Sequence, residues 1–307
     1  MKLSIVATLY QSAAYVVEFY QRASVAARHI AGDDYEIILV NDGSPDNSLN
    51  MVAQVAESDS HLVVVDLSRN FGHHKAMMTG LAHARGQHVF LIDSDLEEEP
   101  EWLIGFAEQM ARDKCDVVYG VQEQRKGGFF ERWSGQVFYR VFRMLTGVDL
   151  PDNVVVARLM TRRYVDALLQ HGESEVFMAG LWVITGFDQR PQKVKKRSTS
   201  KTTYTLWKKI SQLVESITSF SKAPLVGIFF VGCVIFFISG VYAAYLVANW
   251  FFLARPPSGY TSLMVSVWLL GGMIIIFVGI VGIYLSKIYS ETKRRPYTIV
   301  RQVIRKK

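Results

Sequence analysis

Short apolar segments alternate with amphipathic segments through the N-terminal part of the chain, up to residue 120. The apolar runs predict strands at 3–9, 36–40, 62–67, 89–92 and 117–119. The segments between them repeat apolar residues at helical spacing and predict helices at 14–30, 47–58, 74–84 and 101–112. Strands and helices that alternate in this way form a mainly parallel sheet with helices on both faces. The sequence therefore predicts an α/β domain.

Two long segments nearer the C-terminus, 225–247 and 263–285, contain no charged residue. Because a helix rises about 1.5 Å per residue, each segment is long enough to cross a hydrocarbon core of about 30 Å. Half of all residues are hydrophobic and the mean hydropathy is +0.15, with the excess concentrated here. We interpret 223–286 as a hairpin of two transmembrane helices. Two buried helices of a soluble core are the alternative.

Lysine and arginine residues are concentrated on both sides of this hairpin, whereas the loop within it contains only Arg255. The positive-inside rule therefore places the N-terminal domain and both termini on the cytoplasmic side of a multi-pass membrane protein. Most of the formal net charge of +6 lies beside the membrane segments, which favours anionic lipid over nucleic acid as the partner. We expect residues 287–307 to form a basic cytoplasmic tail.

Two further helical patterns combine apolar and basic residues. The first, at 206–222, leads directly into the first apolar segment. Its apolar positions are Leu206, Ile210, Leu213, Val214 and Ile217. We predict an amphipathic helix there that lies in the membrane interface. The second pattern, at 129–145, is rich in aromatic residues and fits either an interfacial helix or an ordinary core-facing helix.

Asp93, Ser94 and Asp95 follow the apolar run 89–92 directly. In an open α/β sheet, ligands bind beside the carboxyl ends of the strands, so both carboxylates reach the rim of a cleft. Carboxylates suit a hard cation such as Mg²⁺ or Mn²⁺, and such a cation suits a diphosphate. The pattern predicts a metal-assisted diphosphate site, with a solvated turn as the alternative.

Two other polar loops follow predicted strands. The turn 41–46 has acidic side chains that can accept hydrogen bonds from ribose hydroxyls or a base, and a simple Asx turn is the alternative. Beyond the third strand, Arg69 and Lys75 are candidates to face phosphate. His73 and His74 are adjacent and point in different directions, so we interpret them as residues that do not bind metal.

Several basic residues lie between the predicted strands and the apolar segments. They are Arg125, Lys126, Arg158 and Arg197. Arginine binds phosphate through two parallel hydrogen bonds. Each residue taken alone fits a solvated surface charge. As a group beside a membrane, in a chain with a nucleotide-type site, they are candidates for binding a lipid phosphate.

The polar motifs occur in the order and spacing of the family 2 glycosyltransferases. They are Tyr10, Asn41-Asp42-Gly43-Ser44 with Asp46, Arg69-Asn70-Phe71-Gly72, Asp93-Ser94-Asp95-Leu96 and Pro100-Glu101. Two segments of the C-terminal half also resemble segments of this family, Arg158-Leu159-Met160 and Ile217-Thr218-Ser219-Phe220-Ser221. The chain most resembles polyprenyl-phosphate and dolichol-phosphate hexosyltransferases. These include bacterial enzymes that load glucose onto undecaprenyl phosphate for O-antigen modification.

The resemblance implies a Rossmann-like GT-A domain at 1–205. It also implies an inverting transfer of a hexose from a nucleotide sugar, UDP-glucose or a related UDP-sugar, to undecaprenyl or another polyprenyl phosphate. The implied metal ligands for Mg²⁺ or Mn²⁺ are Asp95 and Glu97. The implied nucleotide-binding residues are Thr8, Tyr10, Asp42, Lys75 and Asp93. Catalytic roles fall on Asp93, Asp95 and Arg158, and the acceptor phosphate is expected at Arg125, Arg158 and Arg197. A homo-oligomer is also implied.

The chain departs from the family pattern at three places. The segment 8–12 reads Thr-Leu-Tyr-Gln-Ser where the family usually has Pro-x-Tyr-Asn-Glu, so a nucleotide-contacting glutamate is lost and the choice of base is open. Val156 stands where the family has a site aspartate, in Gly-Asp-Phe-Arg-Leu. The family's Arg-x-x-Gly-x-Ser-Lys-Tyr pattern is also altered after Arg197. These changes predict an unusual acceptor or sugar pocket.

Two other functions are compatible with these departures. One is a catalytically impaired member of the family that acts as a scaffold or carrier partner. The other is a polysaccharide synthase. Such synthases resemble this domain but carry Gln-x-x-Arg-Trp, whereas Arg132-Trp133 here follows Phe129-Phe130-Glu131. Two membrane segments also make a poor polymer channel. Because Asp42, Asp93 and Asp95 are all present, we favour an active enzyme.

Overall fold

The computed structural model describes residues 1–122, 140, 142–147, 151, 153–173, 176–196, 217–218, 221–253 and 259–306. The strands are β1 (Leu3–Leu9), β2 (Tyr35–Asn41), β3 (Leu62–Leu67), β4 (His88–Leu91), β5 (Val117–Gln122), β6 (Val154–Thr161), β7 (Gln189–Val194) and β8 (Val300–Arg305). The helices are α1 (Val16–Ala31), α2 (Ser48–Ser58), α3 (His73–His83), α4 (Trp102–Asp113), α5 (Arg162–Leu168), α6 (Met178–Ile184), α7 (Ala223–Leu253) and α8 (Tyr260–Thr292).

The described strands form one sheet in the order β7-β5-β6-β4-β1-β2-β3-β8. Strands β3, β2, β1 and β4 are parallel neighbours, and β7 is parallel to β5. Strand β6 is antiparallel to both β4 and β5. Strands β1 and β2 are buried along their whole length, as is usual for parallel strands covered on both faces. The five predicted strands are confirmed as β1 to β5.

The register of the central strands brings their carboxyl ends to one edge. Leu9 lies opposite Asn41, and Asn41 lies opposite Asp66. On the other side of β1, Val6 lies opposite Leu91, two residues before Asp93. Because parallel strands joined by helices end together, the polar segments after β1 to β4 share one edge of the sheet.

The C-terminal residues differ from the expected basic tail at 287–307. Helix α8 extends to Thr292, and β8 then pairs antiparallel with β3, with Val63 opposite Arg305. In β8, Val300 and Ile304 are partly buried and the other four residues are exposed, which is typical of an edge strand with a solvated face. These residues therefore belong to the sheet domain, and this boundary is corrected.

The chain forms two compact units. One contains Met1–Tyr139, Val148–Tyr204 and Arg295–Lys307. The other contains Arg140–Gly147 and Thr205–Arg294. In the second unit α7 contacts α8, and the hydroxyl of Tyr284 donates a hydrogen bond to the carbonyl of Ser221 over 2.7 Å.

Among the described residues one helical segment, Ser266–Thr292, is long and apolar enough to cross a membrane. Helix α7 contributes the shorter apolar stretch Ala223–Ser239. Length and composition therefore do not confirm the prediction of two transmembrane helices. Nearly all of the predicted interfacial helix at 206–222 lies outside the described residues, as does most of 129–145.

Candidate active site

The segments that follow β2 and β3 are held together by Asp42 and Gly43. Both carboxylate oxygens of Asp42 accept hydrogen bonds from backbone N–H groups, from Phe71 over 2.7 Å and from Gly72 over 3.0 Å. Gly43 has a left-handed φ of +63°, and a Cβ placed on it would lie 2.5 Å from the backbone nitrogen of Asn70. The structure therefore gives Asp42 a positioning role at the sheet edge, in addition to the predicted nucleotide contact.

Substitution of Gly43 by alanine is expected to lower the free energy of unfolding by about 3 kcal/mol, since it adds a backbone clash to an unfavourable φ. Gly32 is a matched control, because its φ is +62° and a Cβ placed on it would have nothing within 4 Å. Gly32→Ala should cost about 1 kcal/mol by strain alone. Thermal unfolding of both variants measures the difference, and equal losses would contradict the close packing of the two segments.

Asp46 ties the segment after β1 to the segment after β2. Its carboxylate accepts hydrogen bonds from the backbone N–H of Ala13 and from the hydroxyls of Ser44 and Ser48. The Ser44 hydroxyl in turn accepts from the backbone N–H of Gln11 over 2.7 Å. Burial would raise the pKa of Asp46, but these hydrogen bonds outweigh it and lower the pKa well below its usual range. An ionised Asp46 thus fixes the segment that carries Tyr10.

Thr8, His73 and Asp93 form a polar cluster between β1, α3 and β4. The hydroxyl of Thr8 is hydrogen-bonded to Nδ1 of His73 over 2.9 Å, and Nε2 of His73 lies 3.2 Å from Oδ1 of Asp93. Burial lowers the pKa of His73, but the adjacent Asp93 carboxylate outweighs burial and the net shift is upward. The structure therefore brings the predicted site residues Thr8 and Asp93 together through a histidine that the sequence did not assign.

An acidic run follows β4 and contains Asp93, Asp95, Glu97, Glu98 and Glu99. Oδ1 of Asp95 accepts a hydrogen bond from the backbone N–H of Glu97 over 3.0 Å. Burial, together with the charge of Asp93, raises the pKa of Asp95. The ammonium of Lys196 lies 3.2 Å from Oε2 of Glu97 and 3.7 Å from Oε1 of Glu98. Lys196 thus pairs with two glutamates of the acidic run.

Glu98 is fully buried and lies beside Val156, the position at which the resemblance implies an aspartate. Its two carboxyl oxygens accept hydrogen bonds from the backbone N–H groups of Val156 and Ala157, over 3.0 and 2.8 Å. Burial and the charge of Asp93 raise the pKa of Glu98 to about 8, against the opposing effect of Lys196. A carboxyl group is therefore present beside Val156, supplied by the β4 loop rather than by β6.

A divalent cation fits the acidic run only if other ligands come with it. No group of three or more His, Cys, Asp or Glu side chains is placed to hold a metal ion among the described residues. Oδ1 of Asp93 is buried and accepts no well-aligned hydrogen bond from a described residue, and Asp95 is half-buried beside it. Carboxylate oxygens suit Mg²⁺ or Mn²⁺, which usually keep substrate phosphates among their ligands. The donor set fits a cation that arrives on a diphosphate.

Arg158 lies in β6 opposite Leu91, and so beside the start of the acidic run. It is 1% exposed, and its guanidinium lies over the ring of Trp182 at 3.0 Å from the centroid. Its Nη2 is buried and has no hydrogen-bond partner among the described residues. Burial lowers the pKa of Arg158, although an arginine remains a cation at neutral pH. A buried cation with an unused donor is suited to an anionic ligand.

Arg158 and Glu98 line a cavity of about 750 Å³. Lys196 also lines it, and much of the remaining wall is apolar, including Phe177 and Trp182. The cavity thus combines two cations with an apolar wall, next to the acidic run. This arrangement can hold an anionic headgroup that carries an apolar chain.

The remaining predicted residues are less closely tied to this centre. Tyr10 is 49% exposed, and Lys75 is half-buried in the first turn of α3. Arg125, Lys126 and Arg197 lie outside the described residues, so Arg158 alone represents the predicted acceptor-phosphate set.

Four residues of the site were not assigned from the sequence, namely His73, Glu98, Trp182 and Lys196. Lys196 belongs to a basic run that we interpreted as a membrane flank, and Glu98 belongs to a run of three glutamates with no sign of which one is buried. Glu98 accepts hydrogen bonds from the backbone of β6, and Lys196 contacts Glu98 from the segment that follows β7. These contacts join residues that are distant in the sequence, so the sequence did not reveal them.

Comparison with known proteins identifies the family to which the chain belongs. The model of glycosyl transferase family 2 matches residues 4–169. A Mycobacterium tuberculosis protein whose name assigns it to the glycosyltransferases is 50% identical over 303 residues, which is 99% of this chain and 88% of that protein. The bactoprenol glucosyl transferase of Shigella phage SfV is 30% identical over 303 residues, 98% of each chain.

Among solved structures, one similar chain is glucosyl-3-phosphoglycerate synthase from Mycobacterium tuberculosis in complex with Mn²⁺, UDP-glucose and phosphoglyceric acid. It is 18% identical with a TM-score of 0.47, and the match covers 71% of this chain and 79% of that one. The family match and the full-length relatives carry the assignment. The chain belongs to the family 2 glycosyltransferases, and its mainly parallel sheet is the GT-A fold expected of them.

Proposed function

We propose that the protein transfers a hexose from a nucleotide sugar, UDP-glucose or a related UDP-sugar, to undecaprenyl or another polyprenyl phosphate, with inversion at the anomeric carbon. The observation that carries this proposal is the position of Arg158. Its buried guanidinium, whose Nη2 has no partner in the described part of the chain, lies across from the end of β4 and beside the acidic run. The similarity to bactoprenol glucosyl transferases supports the same acceptor.

The donor lies, in this proposal, at the carboxyl edge of β1 to β4. Tyr10 is exposed where it can contact the base, and the segment anchored by Asp42 faces the nucleoside. Lys75, in the first turn of α3, would face the diphosphate. Asp95, with Asp93 beside it, would hold Mg²⁺ or Mn²⁺ on that diphosphate. The bound ion would compensate the charge of the departing nucleoside diphosphate.

Glu97 is less suited than Asp95 to bind the metal ion. Its side chain is 12% exposed, and Oε2 lies 3.2 Å from the ammonium of Lys196. Binding a metal ion would require Glu97 to leave that ion pair or share it. We therefore assign Asp95 as the principal ligand and Glu97 as a secondary one.

The acceptor phosphate lies, in this proposal, in the cavity that Arg158 lines. A phosphate monoester has a second pKa of about 6, so it is largely dianionic at neutral pH. Such an oxygen attacks the anomeric carbon without a general base, which is consistent with a valine at position 156. The task of the protein is to bring two anions together, and Arg158 supports this by positioning and charge compensation. Arg125 and Arg197 remain candidates for the same phosphate.

The topology of the sheet supports a membrane hairpin. Strand β8 follows α7 and α8 in the chain, yet it belongs to the same sheet as β1 to β7. The chain therefore leaves this domain and returns to it on the same side of any membrane. A single crossing is incompatible with that path, so if α8 spans the bilayer, α7 spans it as well. We propose two crossings, with the catalytic domain and both termini on the cytoplasmic side of the bacterial inner membrane.

The proposal is tested by offering membranes that contain the protein and undecaprenyl phosphate a panel of labelled nucleotide sugars with Mn²⁺. Label should move into the organic-solvent extract from one UDP-hexose above all. Membranes without added polyprenyl phosphate are the control. Binding of UDP without any transfer would instead favour a scaffold, and label in long water-soluble polymer would favour a polysaccharide synthase.

A further inference from the structure

The C-terminal strand contacts the segment that follows β3. Nη1 of Arg301 lies 3.1 Å from Oδ2 of Asp66, and Nη2 donates a hydrogen bond to the carbonyl of Ser68 over 2.8 Å. The backbone N–H of Ser68 donates to the carbonyl of Ile299 over 2.9 Å. The pairing of β3 with β8 is irregular between Asp66 and Leu67. Arg301 therefore contacts one residue on each side of this irregularity, Asp66 and Ser68. Strand β8 thus fixes the end of β3 and the start of the next segment.

Asp66 connects Arg301 to a buried side chain, Asn41. Its side chain is fully buried, and its Oδ1 accepts a hydrogen bond from the side-chain amide of Asn41 over 2.8 Å. A buried carboxylate needs such partners, because an unpaired charge in the interior is costly. Arg301, itself 56% exposed at the sheet edge, is the cation that pairs with Asp66. The ion pair therefore holds Asp66 in the orientation that Asn41 requires.

Asn41 completes the connection to the segment after β2. Its side-chain oxygen accepts a hydrogen bond from the backbone N–H of Ser44 over 3.2 Å, which fixes the turn that contains Asp42 and Gly43. The amide of Asn41 cannot rotate without losing either Asp66 or Ser44. A continuous set of hydrogen bonds thus runs from an exposed arginine of the last strand to the turn at the sheet edge.

We propose that β8 is a positioning element for donor binding and that Arg301 is its positioning residue, acting through Asp66 and Asn41. This inference rests on the proposed use of the 41–46 segment for the nucleotide. Strand β8 begins shortly after the last residue of α8, with 293–299 between them. The donor-binding segment is therefore supported by the part of the chain that directly follows the apolar helix.

The test uses the full chain in detergent micelles and measures binding of UDP with Mn²⁺ by calorimetry. Arg301→Met should raise the Kd about tenfold, equivalent to about 1.4 kcal/mol. At saturating donor, kcat for sugar transfer should stay within about twofold, because Arg301 touches no reacting group. Arg301→Lys keeps a charge beside Asp66 but not both contacts of the guanidinium, so its Kd should rise about threefold. The lysine variant decides the question if the methionine variant does not fold.

Arg305→Met is the matched control, since Arg305 is an exposed arginine of the same strand that lies opposite Val63, away from the segments after β2 and β3. Its Kd should equal that of the unmodified chain. Unchanged Kd in both Arg301 variants, with only a lower melting temperature, would overturn the inference and leave Arg301 a purely structural residue. Equal weakening by Arg305→Met would overturn it as well. Failure of the unmodified chain to bind UDP would overturn the proposed function together with this inference.

Discussion

Substitution of Asp95 by asparagine is expected to lower the rate of sugar transfer by about a thousandfold, equivalent to about 4 kcal/mol. The amide keeps the size of the side chain and an oxygen that can accept the hydrogen bond from the Glu97 backbone. It removes the negative charge that would hold the divalent ion on the donor diphosphate. Transfer of labelled hexose to polyprenyl phosphate at saturating Mn²⁺ measures the effect.

The matched control is Asp166→Asn, which removes an exposed carboxylate paired with Arg162 on the surface of α5. This variant should retain the full rate. Asp95→Asn should also melt within a few degrees of the unmodified chain, because burial already raises the pKa of Asp95 and its charge adds little to stability. Full transfer activity in Asp95→Asn would refute its assignment as the principal metal ligand.

Substitution of Arg158 by methionine is expected to lower kcat/KM for the polyprenyl phosphate by about a hundredfold to a thousandfold, with the Kd for UDP changed less than twofold. Methionine retains an apolar contact with the ring of Trp182 but offers nothing to an anion. The two substrates thus separate the acceptor role of Arg158 from any general damage to the donor site. Steady-state kinetics with varied acceptor, together with calorimetry of UDP, give the two quantities.

The melting temperature of Arg158→Met distinguishes a loss of acceptor binding from misfolding. Arg158 is almost fully buried, and its Nη2 has no hydrogen-bond partner among the described residues. The desolvation cost that an apolar residue avoids should offset the lost hydrogen bond from Nε to the Val156 carbonyl, so the melting temperature should stay within a few degrees. Arg112→Met, which removes an exposed arginine beside Asp113, is the control and should leave both activity and stability unchanged. A normal kcat/KM for the acceptor in Arg158→Met would exclude Arg158 from the phosphate site.

Much of the first half of the chain was predictable because its strands are continuous apolar runs that end in polar residues. Strands β1 and β2 are buried throughout, so the end of each run marks the sheet edge. The same rule placed Asp42 and Asp93 correctly at that edge, because parallel strands end together. Local pattern and topology agree in this region.

Of the three strands that were not predicted, β6 is largely apolar, whereas β7 and β8 lack that signal. Strand β7 contains Pro191 and two basic residues, and half of the residues of β8 are polar, including two arginines. Both are edge strands, which carry charge and proline on their solvated side. The lysines and arginines of β7 and β8 were interpreted as the basic flanks of the membrane segments, because they satisfy the positive-inside rule.

The sequence also misjudged the environment of Arg158. The alternative that Arg158 is a solvated surface charge is wrong, because Arg158 is buried within β6. Its role as a phosphate ligand stays a proposal. Burial of Arg158 depends on its neighbours β4 and β5 and on the ring of Trp182, which are distant in the sequence. The contacts of Lys196 with the acidic run are likewise tertiary, so no local pattern reveals them.

The central claim is that a divalent ion, held by the acidic pair after β4, carries the donor diphosphate. The most direct test is the anomalous scattering of Mn²⁺ in crystals of the full chain grown with UDP. We predict a single strong peak within coordination distance of a carboxylate oxygen of Asp95, about 2.0 to 2.3 Å, bridged to the diphosphate. A peak elsewhere, or a bound diphosphate away from Asp95, would contradict the account.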